Sequence, residues 1–296
     1  QQAFGEAVLK ALIERGEDVV AVYCSPDKEG RPTDSIKTLA LKHNLPVYQP
    51  ETFKDPAVWE ECEVIKPDLG VMAYVTKFVP EEFLYIPTKG TIQYHPSLLP
   101  LHRGPSSINW PIIMGSKKTG LSIFWPDNGL DEGPILMQKE TEISDTDTLG
   151  SVYFDRLFPM GVEAMVESID LVREGKAPKI VQDESKATYE SWCRKENVEV
   201  DWSKPVDEVS ALIRGANPQP GAWTKHDGKV LQVFDCIKAK GKGSPGEVIA
   251  IDDNGITVAT GSGAIALQRV RPEGGKKLKT VDFVVNSGLS VGTCFG

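Results

Sequence analysis

Gln93 and His95 stand two residues apart in a predicted strand, and a loop with two aspartates follows the next predicted strand. Alternate residues of a strand share one face, so the Gln93 amide and the His95 imidazole are expected to face the same crevice. The loop, residues 126–133, contributes Asp127 and Asp131. A histidine beside a carboxylate is a common acid–base pair, and a neighbouring amide can donate to a developing oxyanion. The combination predicts acyl-group transfer.

Two other interpretations of these residues stay open on spacing alone. Ser97 is close enough to His95 in sequence to be a nucleophile, although no Gly-x-Ser-x-Gly turn surrounds it. Alternatively, His95 only ends a strand and the aspartates only shape a turn.

The elements before and around this region alternate between helix and strand. Amphipathic segments such as 4–15 and 56–64 alternate with short apolar runs such as 19–23 and 69–74. Runs that are apolar throughout are typical of strands covered on both faces. The alternation predicts an α/β fold with a Rossmann-like, mostly parallel sheet. Ligands of such sheets bind beyond the carboxyl ends of the strands, where His95 is expected.

The pattern changes after a polar stretch at 182–201. A helical stripe over 147–174, which Pro159 is expected to interrupt, closes the first part. Five short candidate strands follow, at 230–237, 246–251, 255–259, 264–269 and 282–285. Such spacing predicts a small barrel, of which an open Greek-key, OB-like barrel is one form. We therefore predict two domains, residues 1–192 and 203–296.

Composition limits the partners and the compartment. Lys and Arg total 33 against 42 Asp and Glu, a net charge of −9 that disfavours a broad nucleic-acid-binding face. The five cysteines include no Cys-x-x-Cys pair, which predicts a reducing, cytoplasmic location. With only four histidines, no metal site is predicted. No apolar run is long enough to predict a membrane partner.

Two motifs resemble the folate-dependent formyltransferase family, whose signature is Asn-x-His-x-Ser-Leu-Leu-Pro-x-x-Arg-Gly followed later by Gly-Leu-Asp-x-Gly. The matching residues here are His95-Pro96-Ser97-Leu98-Leu99-Pro100 with Arg103-Gly104, and Gly129-Leu130-Asp131-Glu132-Gly133. The resemblance covers nearly the whole chain. Within the family, segments 94–96, 108–110, 187–190, 213–215 and 220–223 are most similar to the N-terminal hydrolase domain of 10-formyltetrahydrofolate dehydrogenase.

The resemblance implies a role for each residue of the predicted site. His95 matches the catalytic histidine, which would stabilise the oxyanion on the formyl oxygen, and Asp131 the catalytic aspartate, which would take a proton from the attacking group. Transferases of the family have Asn at the position of Gln93, whereas the hydrolase domain has an apolar residue. Gln93 keeps the amide but adds a methylene, so the acceptor stays open.

The resemblance also implies a folate pocket. Its expected lining residues are Phe78, Val79, Pro80, Tyr94, Asn128 and Leu130. Family members open with a strand before a Gln-x-x-Phe-Gly loop, so we expect this chain to lack that first strand.

The implied formyl donor is 10-formyltetrahydrofolate, used without a metal. We expect transfer of the formyl group to water, which releases tetrahydrofolate. The alternatives are transfer to methionyl-tRNA, which the acidic composition disfavours, and transfer to a small-molecule amine. A further alternative from another class is an inactive folate-binding protein.

Overall fold

The computed structural model describes residues 2–296, and Gln1 lies outside the described residues. The chain divides into two compact units. The first contains the described residues up to Arg103 together with Gly120–Glu140 and Leu157–Tyr189; the second contains Gly104–Thr119, Thr141–Arg156 and Glu190–Gly296. The division at 192 and 203 stays a prediction.

Helices and short strands alternate through the first part of the chain, as predicted. In order, the elements are α1 (Gln2–Glu14), β1 (Val22–Tyr23), α2 (Ser35–Lys42), β2 (Val47–Tyr48), α3 (Pro56–Ile65), β3 (Gly70–Met72), α4 (Glu81–Leu84), β4 (Thr91–His95), α5 (Asn109–Ile113), β5 (Lys118–Phe124), β6 (Ile135–Glu142), α6 (Leu149–Val152) and α7 (Phe158–Arg173).

Local sequence signals account for several of these boundaries. The Asp55 carboxylate accepts a hydrogen bond from the Ala57 amide at 3.0 Å, and Pro56 occupies the first turn of α3. A π-helical turn at Tyr153–Leu157 separates α6 from α7, whose first turn contains Pro159. The helix therefore changes its hydrogen bonding just before Pro159, where the sequence predicted an interruption.

The first unit has a mixed rather than a mostly parallel sheet. β1 and β2 form a parallel pair, and a separate sheet has the order β3-β4-β5-β6. β3 runs parallel to β4, with Met72 opposite Gln93, whereas β5 runs antiparallel, with Ser122 opposite His95. An apolar run indicates burial and not direction, so the sequence did not distinguish the two pairings. β6 was not predicted because its second half is mostly polar.

The core of the first unit lies between this sheet and two helices. Its fully buried members include Phe4 of α1, Ile92 of β4, Leu121 and Ile123 of β5, and Met165 of α7. Close packing of this kind makes large side chains sensitive to truncation.

The second unit has antiparallel sheets. Its remaining elements are α8 (Val206–Gly215), β7 (Ala222–His226), β8 (Lys229–Val233), β9 (Cys236–Ala239), β10 (Val248–Asp252), β11 (Gly255–Ala259), β12 (Ala264–Leu267), β13 (Arg269–Pro272), β14 (Leu278–Lys279) and α9 (Thr280–Ser287). Within the described part of the chain the strands form two four-stranded sheets, β10-β11-β12-β9 and β14-β13-β8-β7. The several antiparallel strands were expected, and the OB-like barrel stays a prediction.

The predicted strand at 282–285 is wrong, because these residues belong to α9. The run is rich in β-branched and aromatic residues, which favour strands. Helical spacing lets Phe283 and Val284 pack on the core of the unit, and Gly288 at φ +68° ends the helix. Tertiary packing therefore overrides the local preference. α8 and β7 were not predicted.

None of the helices described between residues 2 and 296 is long and apolar enough to cross a bilayer.

We expect Leu121→Ala to lower the free energy of unfolding of the first unit by about 2–5 kcal/mol. Leu121 has no exposed surface, so its truncation opens a cavity in the core. Urea titration followed by circular dichroism measures the loss. Val64→Ala is the control: Val64 lies on α3 and is 81% exposed, so its truncation should change the value by less than about 0.5 kcal/mol. Equal losses for the two variants would contradict this packing.

Candidate active site

The structure brings His95 and Asp131 together at the end of β4. His95 is the last residue of the strand and is buried. Its Nε2 lies 2.9 Å from the carbonyl oxygen of His102. A carbonyl only accepts hydrogen bonds, so Nε2 carries a proton. Its other nitrogen, Nδ1, lies 3.6 Å from Oδ2 of Asp131, whose side chain is 10% exposed. An imidazole and a carboxylate thus share a largely desolvated site.

The loop between β5 and β6 presents the carboxylate of Asp131 from a constrained backbone. Asp131 has φ +57°, a left-handed conformation that is uncommon for residues other than glycine. Gly133 leaves no room for a side chain, because a Cβ atom there would lie 1.8 Å from the carbonyl oxygen of Trp125. Asp127 accepts a hydrogen bond from the Gly129 amide at 2.9 Å and therefore shapes the turn. The left-handed backbone of the aspartate and the lack of space at the last glycine explain these two positions of the Gly-Leu-Asp-x-Gly motif.

Gln182 ties this loop to a buried arginine. Its Nε2 donates to the carbonyl oxygens of Asp131 at 2.8 Å and of Gly133 at 2.7 Å. Its Oε1 accepts hydrogen bonds from Nε and Nη2 of Arg103, at 3.1 and 2.8 Å. In the sequence, Gln182 begins a polar stretch, and no local pattern predicts a role for it. The only sequence feature that could have indicated a role is its position close to segment 187–190, which resembles the family.

Arg103 is fully buried, and acceptors of this chain surround its guanidinium group. Glu184 binds it with both carboxylate oxygens, at 2.9 and 2.6 Å, and these bonds lower the pKa of Glu184. The guanidinium also donates to the hydroxyl of Tyr189, which in turn donates to Glu132 at 2.7 Å. The Arg103 backbone amide donates to the carbonyl oxygen of Thr188 at 3.0 Å. Arg103 therefore organises loops of the protein itself.

Gln93 lies on the same face of β4 as His95 and is half-buried. No residue among 2–296 forms a hydrogen bond with its side chain. The amide is thus available to a ligand that reaches the end of the strand, while its role stays a prediction.

The residues predicted to line a folate pocket lie on two segments, 78–80 and 128–130, apart from Tyr94. Phe78 is 53% exposed and Leu130 55%, while Val79 and Pro80 are buried. Asn128 links their two segments, because its Oδ1 accepts a hydrogen bond from the Glu81 amide at 3.3 Å.

Tyr94 is the exception among these candidates. Its ring stacks on Phe4, with the centroids 4.3 Å apart, and its side chain is buried on the face of β4 opposite to His95. Only its backbone is placed to line the site. The pocket as a whole stays a prediction.

The thiols and acidic residues add no metal centre to this picture. All five cysteines are free. Within residues 2–296, no three His, Cys, Asp or Glu side chains cluster in a way that could hold a metal ion.

We expect Arg103→Met to lower the free energy of unfolding of the first unit by about 3 kcal/mol, since it removes both donors from the buried oxygen of Gln182. Arg173→Met is the control. Arg173 is half exposed and pairs with Glu17 and Asp170 at the surface, so its loss should cost less than about 1 kcal/mol. Chemical unfolding of both variants measures the difference, and a cost for Arg103→Met no larger than the control's would refute the role of the buried network.

Family models match both parts of the chain. The model described as formyl transferase matches residues 1–169, and the one described as formyl transferase, C-terminal domain, matches residues 193–287.

Two kinds of curated relative match at similar identity. The mitochondrial 10-formyltetrahydrofolate dehydrogenase of Homo sapiens is 36% identical over 98% of this chain, which spans only 33% of that relative's length. The methionyl-tRNA formyltransferase of Syntrophus aciditrophicus is 37% identical over 97% of this chain and 94% of its own length.

A solved structure shares the fold. The N-formyltransferase from Helicobacter canadensis, in complex with folinic acid and dTDP-3-aminofucose, superposes with a TM-score of 0.70 at 16% identity, over 94% of this chain and 97% of that one. The first family model covers more than half of the residues, and the Syntrophus relative matches over nearly its full length. On these grounds, the chain belongs to the formyl transferase family of enzymes.

Proposed function

We propose that this enzyme takes the formyl group from 10-formyltetrahydrofolate and transfers it to an amine, with His95, Asp131 and Gln93 at the reacting centre. One observation carries the proposal: His95, which ends the strand that presents the free Gln93 amide, forms a desolvated pair with Asp131 of the loop after β5. Acyl transfer needs a base for the attacking nitrogen and donors for the oxyanion, and this arrangement supplies both.

The proposed chemistry begins with attack of the amine nitrogen on the formyl carbon. A new carbon–nitrogen bond forms, and negative charge develops on the formyl oxygen. Asp131 accepts the proton that the attacking nitrogen loses, directly or through a water molecule. Collapse of the tetrahedral centre then breaks the bond to the folate nitrogen, which takes up a proton as tetrahydrofolate leaves.

His95 and the Gln93 amide stabilise the oxyanion in this scheme. His95 already donates from Nε2 to His102, so only Nδ1 is left to face a substrate. For Nδ1 to donate, the ring must carry a second proton. Oδ2 of Asp131 lies 3.6 Å from this nitrogen. Gln93 adds a neutral donor from the same strand face.

The relatives do not favour the hydrolase prediction over amine transfer. A dehydrogenase and a methionyl-tRNA formyltransferase match this chain at 36% and 37% identity, and the second is matched over nearly its full length. Hydrolysis stays as a second candidate because the dehydrogenase relative supports it. The amide at position 93 supports transfer, since the family signature has an amide residue at this position in the transferases.

Charge bears on the kind of amine. In the second unit Lys238 pairs with Asp207, and Arg269 lies 3.7 Å from Asp235, so part of its positive charge is neutralised within the protein. The chain as a whole carries −9. Both facts weigh against an extended phosphate-binding face and favour a small amine over methionyl-tRNA.

We expect Asp131→Asn and His95→Gln each to lower kcat by about 10²–10⁴-fold, because each removes a proton acceptor or an oxyanion donor. Release of tetrahydrofolate from 10-formyltetrahydrofolate is followed by absorbance, with water alone, a nucleotide-linked amino sugar or methionyl-tRNA as acceptor. Asp127→Asn is the matched control in the same loop and should stay within about threefold of the unmodified enzyme, since an amide oxygen can still accept from Gly129. Tight folate binding without turnover in any of the three assays would support an inactive binding protein instead.

Gln93 should separate the two acceptor classes. We expect Gln93→Leu to lower transfer to an amine by about 10²-fold, the usual cost of one lost oxyanion donor, and to lower hydrolysis much less. Gln93→Asn, which keeps the amide on a shorter side chain, should retain more transfer than Gln93→Leu. Unchanged transfer in Gln93→Leu would remove this residue from the reacting centre.

A further inference from the structure

Gln182 is a buried polar residue that touches Asp131 through the backbone. It lies 51 positions further along the chain, between a loop of the reacting centre and the guanidinium of Arg103. It is 5% exposed, so it has no access to solvent that would replace a lost hydrogen bond. Loss of any of its hydrogen bonds would therefore leave a buried polar atom without a partner.

The orientation of the Gln182 amide is determined by its neighbours. Arg103 has donors only, so it must face the oxygen Oε1. The carbonyls of Asp131 and Gly133 only accept, so they must face the nitrogen Nε2. A flipped amide would direct its NH2 group at a cation and its oxygen at two carbonyls. One orientation is thus strongly preferred.

The two carbonyls that Gln182 binds belong to the turn that presents the Asp131 carboxylate. Asp131 adopts φ +57°, and such a conformation persists when its surroundings constrain it. The side chain leaves this backbone to reach within 3.6 Å of His95 Nδ1. Because the carboxylate is attached to this backbone, a change in the conformation of Asp131 would change its distance from His95.

Arg103 reaches the same loop by a second route. Its guanidinium donates to Tyr189, and Tyr189 donates to Glu132, the residue after Asp131. Glu184 balances the charge with two hydrogen bonds. The guanidinium is therefore a rigid anchor, and Gln182 is the link that acts directly on the backbone of Asp131.

We propose that Gln182 is a positioning residue for formyl transfer: it holds the Asp131 backbone in its left-handed conformation so that the carboxylate stays against His95. This inference rests on the proposed role of Asp131. Gln182 touches no reacting atom, so it acts on the rate through Asp131. A displacement of about 1 Å at a reacting group costs about 10²-fold in rate.

Gln182→Glu tests the inference with a nearly isosteric change. The carboxylate still accepts from Arg103, but it has no hydrogens for the carbonyls of Asp131 and Gly133. We expect kcat to fall by about 10–100-fold with KM for 10-formyltetrahydrofolate nearly unchanged, and the thermal midpoint to fall as well because two carbonyls lose a buried donor. Gln182→Met, neutral and of similar length, should also lower kcat with KM nearly unchanged. Because this variant adds no charge, it tests whether the loss in Gln182→Glu comes from the added charge.

Gln49→Glu is the matched control. The half-buried Gln49 accepts from Lys37 at 2.7 Å and donates to the carbonyl oxygen of Ser25 at 2.8 Å, so it has the same kind of contacts away from the Asp131 loop. Its kcat should stay within about threefold of the unmodified enzyme.

NMR of the histidine rings supplies a readout that does not need turnover. The chain has four histidines, and the His95 signals are those that His95→Gln removes. We expect Gln182→Glu to move them in the same direction as Asp131→Asn does, and Gln49→Glu to leave them in place.

An unchanged kcat, unmoved His95 signals, or failure of both Gln182 variants to fold would overturn the inference. Absence of turnover in the unmodified enzyme contradicts the proposed function instead, and the NMR comparison then still decides the role of Gln182.

Discussion

The burial of one guanidinium group is the constraint on which the proposed reacting centre depends. Arg103 has no exposed surface, and a charge without solvent must be surrounded by acceptors. The chain supplies them from Gln182, Glu184 and Tyr189. The segment around 182–189 is therefore required to fold back on the loop after β4, although it is distant in sequence. Through Gln182 the same requirement reaches the backbone of Asp131.

The reacting centre joins elements of different rigidity. His95 ends a central strand, paired with β3 on one side and β5 on the other, so the backbone ladder holds it in place. Asp131 stands on a loop with a left-handed backbone and needs outside support. Sites of this kind combine a rigid scaffold with a constrained loop, and the loop is where the supporting contacts concentrate. The register of β4 against β5, with Phe124 opposite Gln93, places the start of the loop that follows β5 two residues from His95.

Several parts of this arrangement could be predicted from the sequence. The alternation of helices and strands, the position of His95 at a strand end, and the turn around Asp127 follow from local patterns, and the structure contains them. Strand direction, the polar strand β6 and helix α9 did not follow from local patterns. The direction of a strand is decided by the strand it pairs with. The polar half of β6 has no apolar pattern that would predict a strand. The β-branched run of α9 is helical because Phe283 and Val284 pack on the core.

By itself, the sequence determined which chemical groups are present and their order: an amide and an imidazole two residues apart, then a carboxylate in a glycine-bounded loop, in motifs that resemble one family. The tertiary structure alone decided that Nε2 of His95 donates to His102, which leaves Nδ1 for Asp131 and the substrate. It also decided that Tyr94 belongs to the core and that Gln182 supports the loop. The physical reason is that hydrogen-bond partners distant in sequence are chosen by burial, and a periodic pattern carries no information about them.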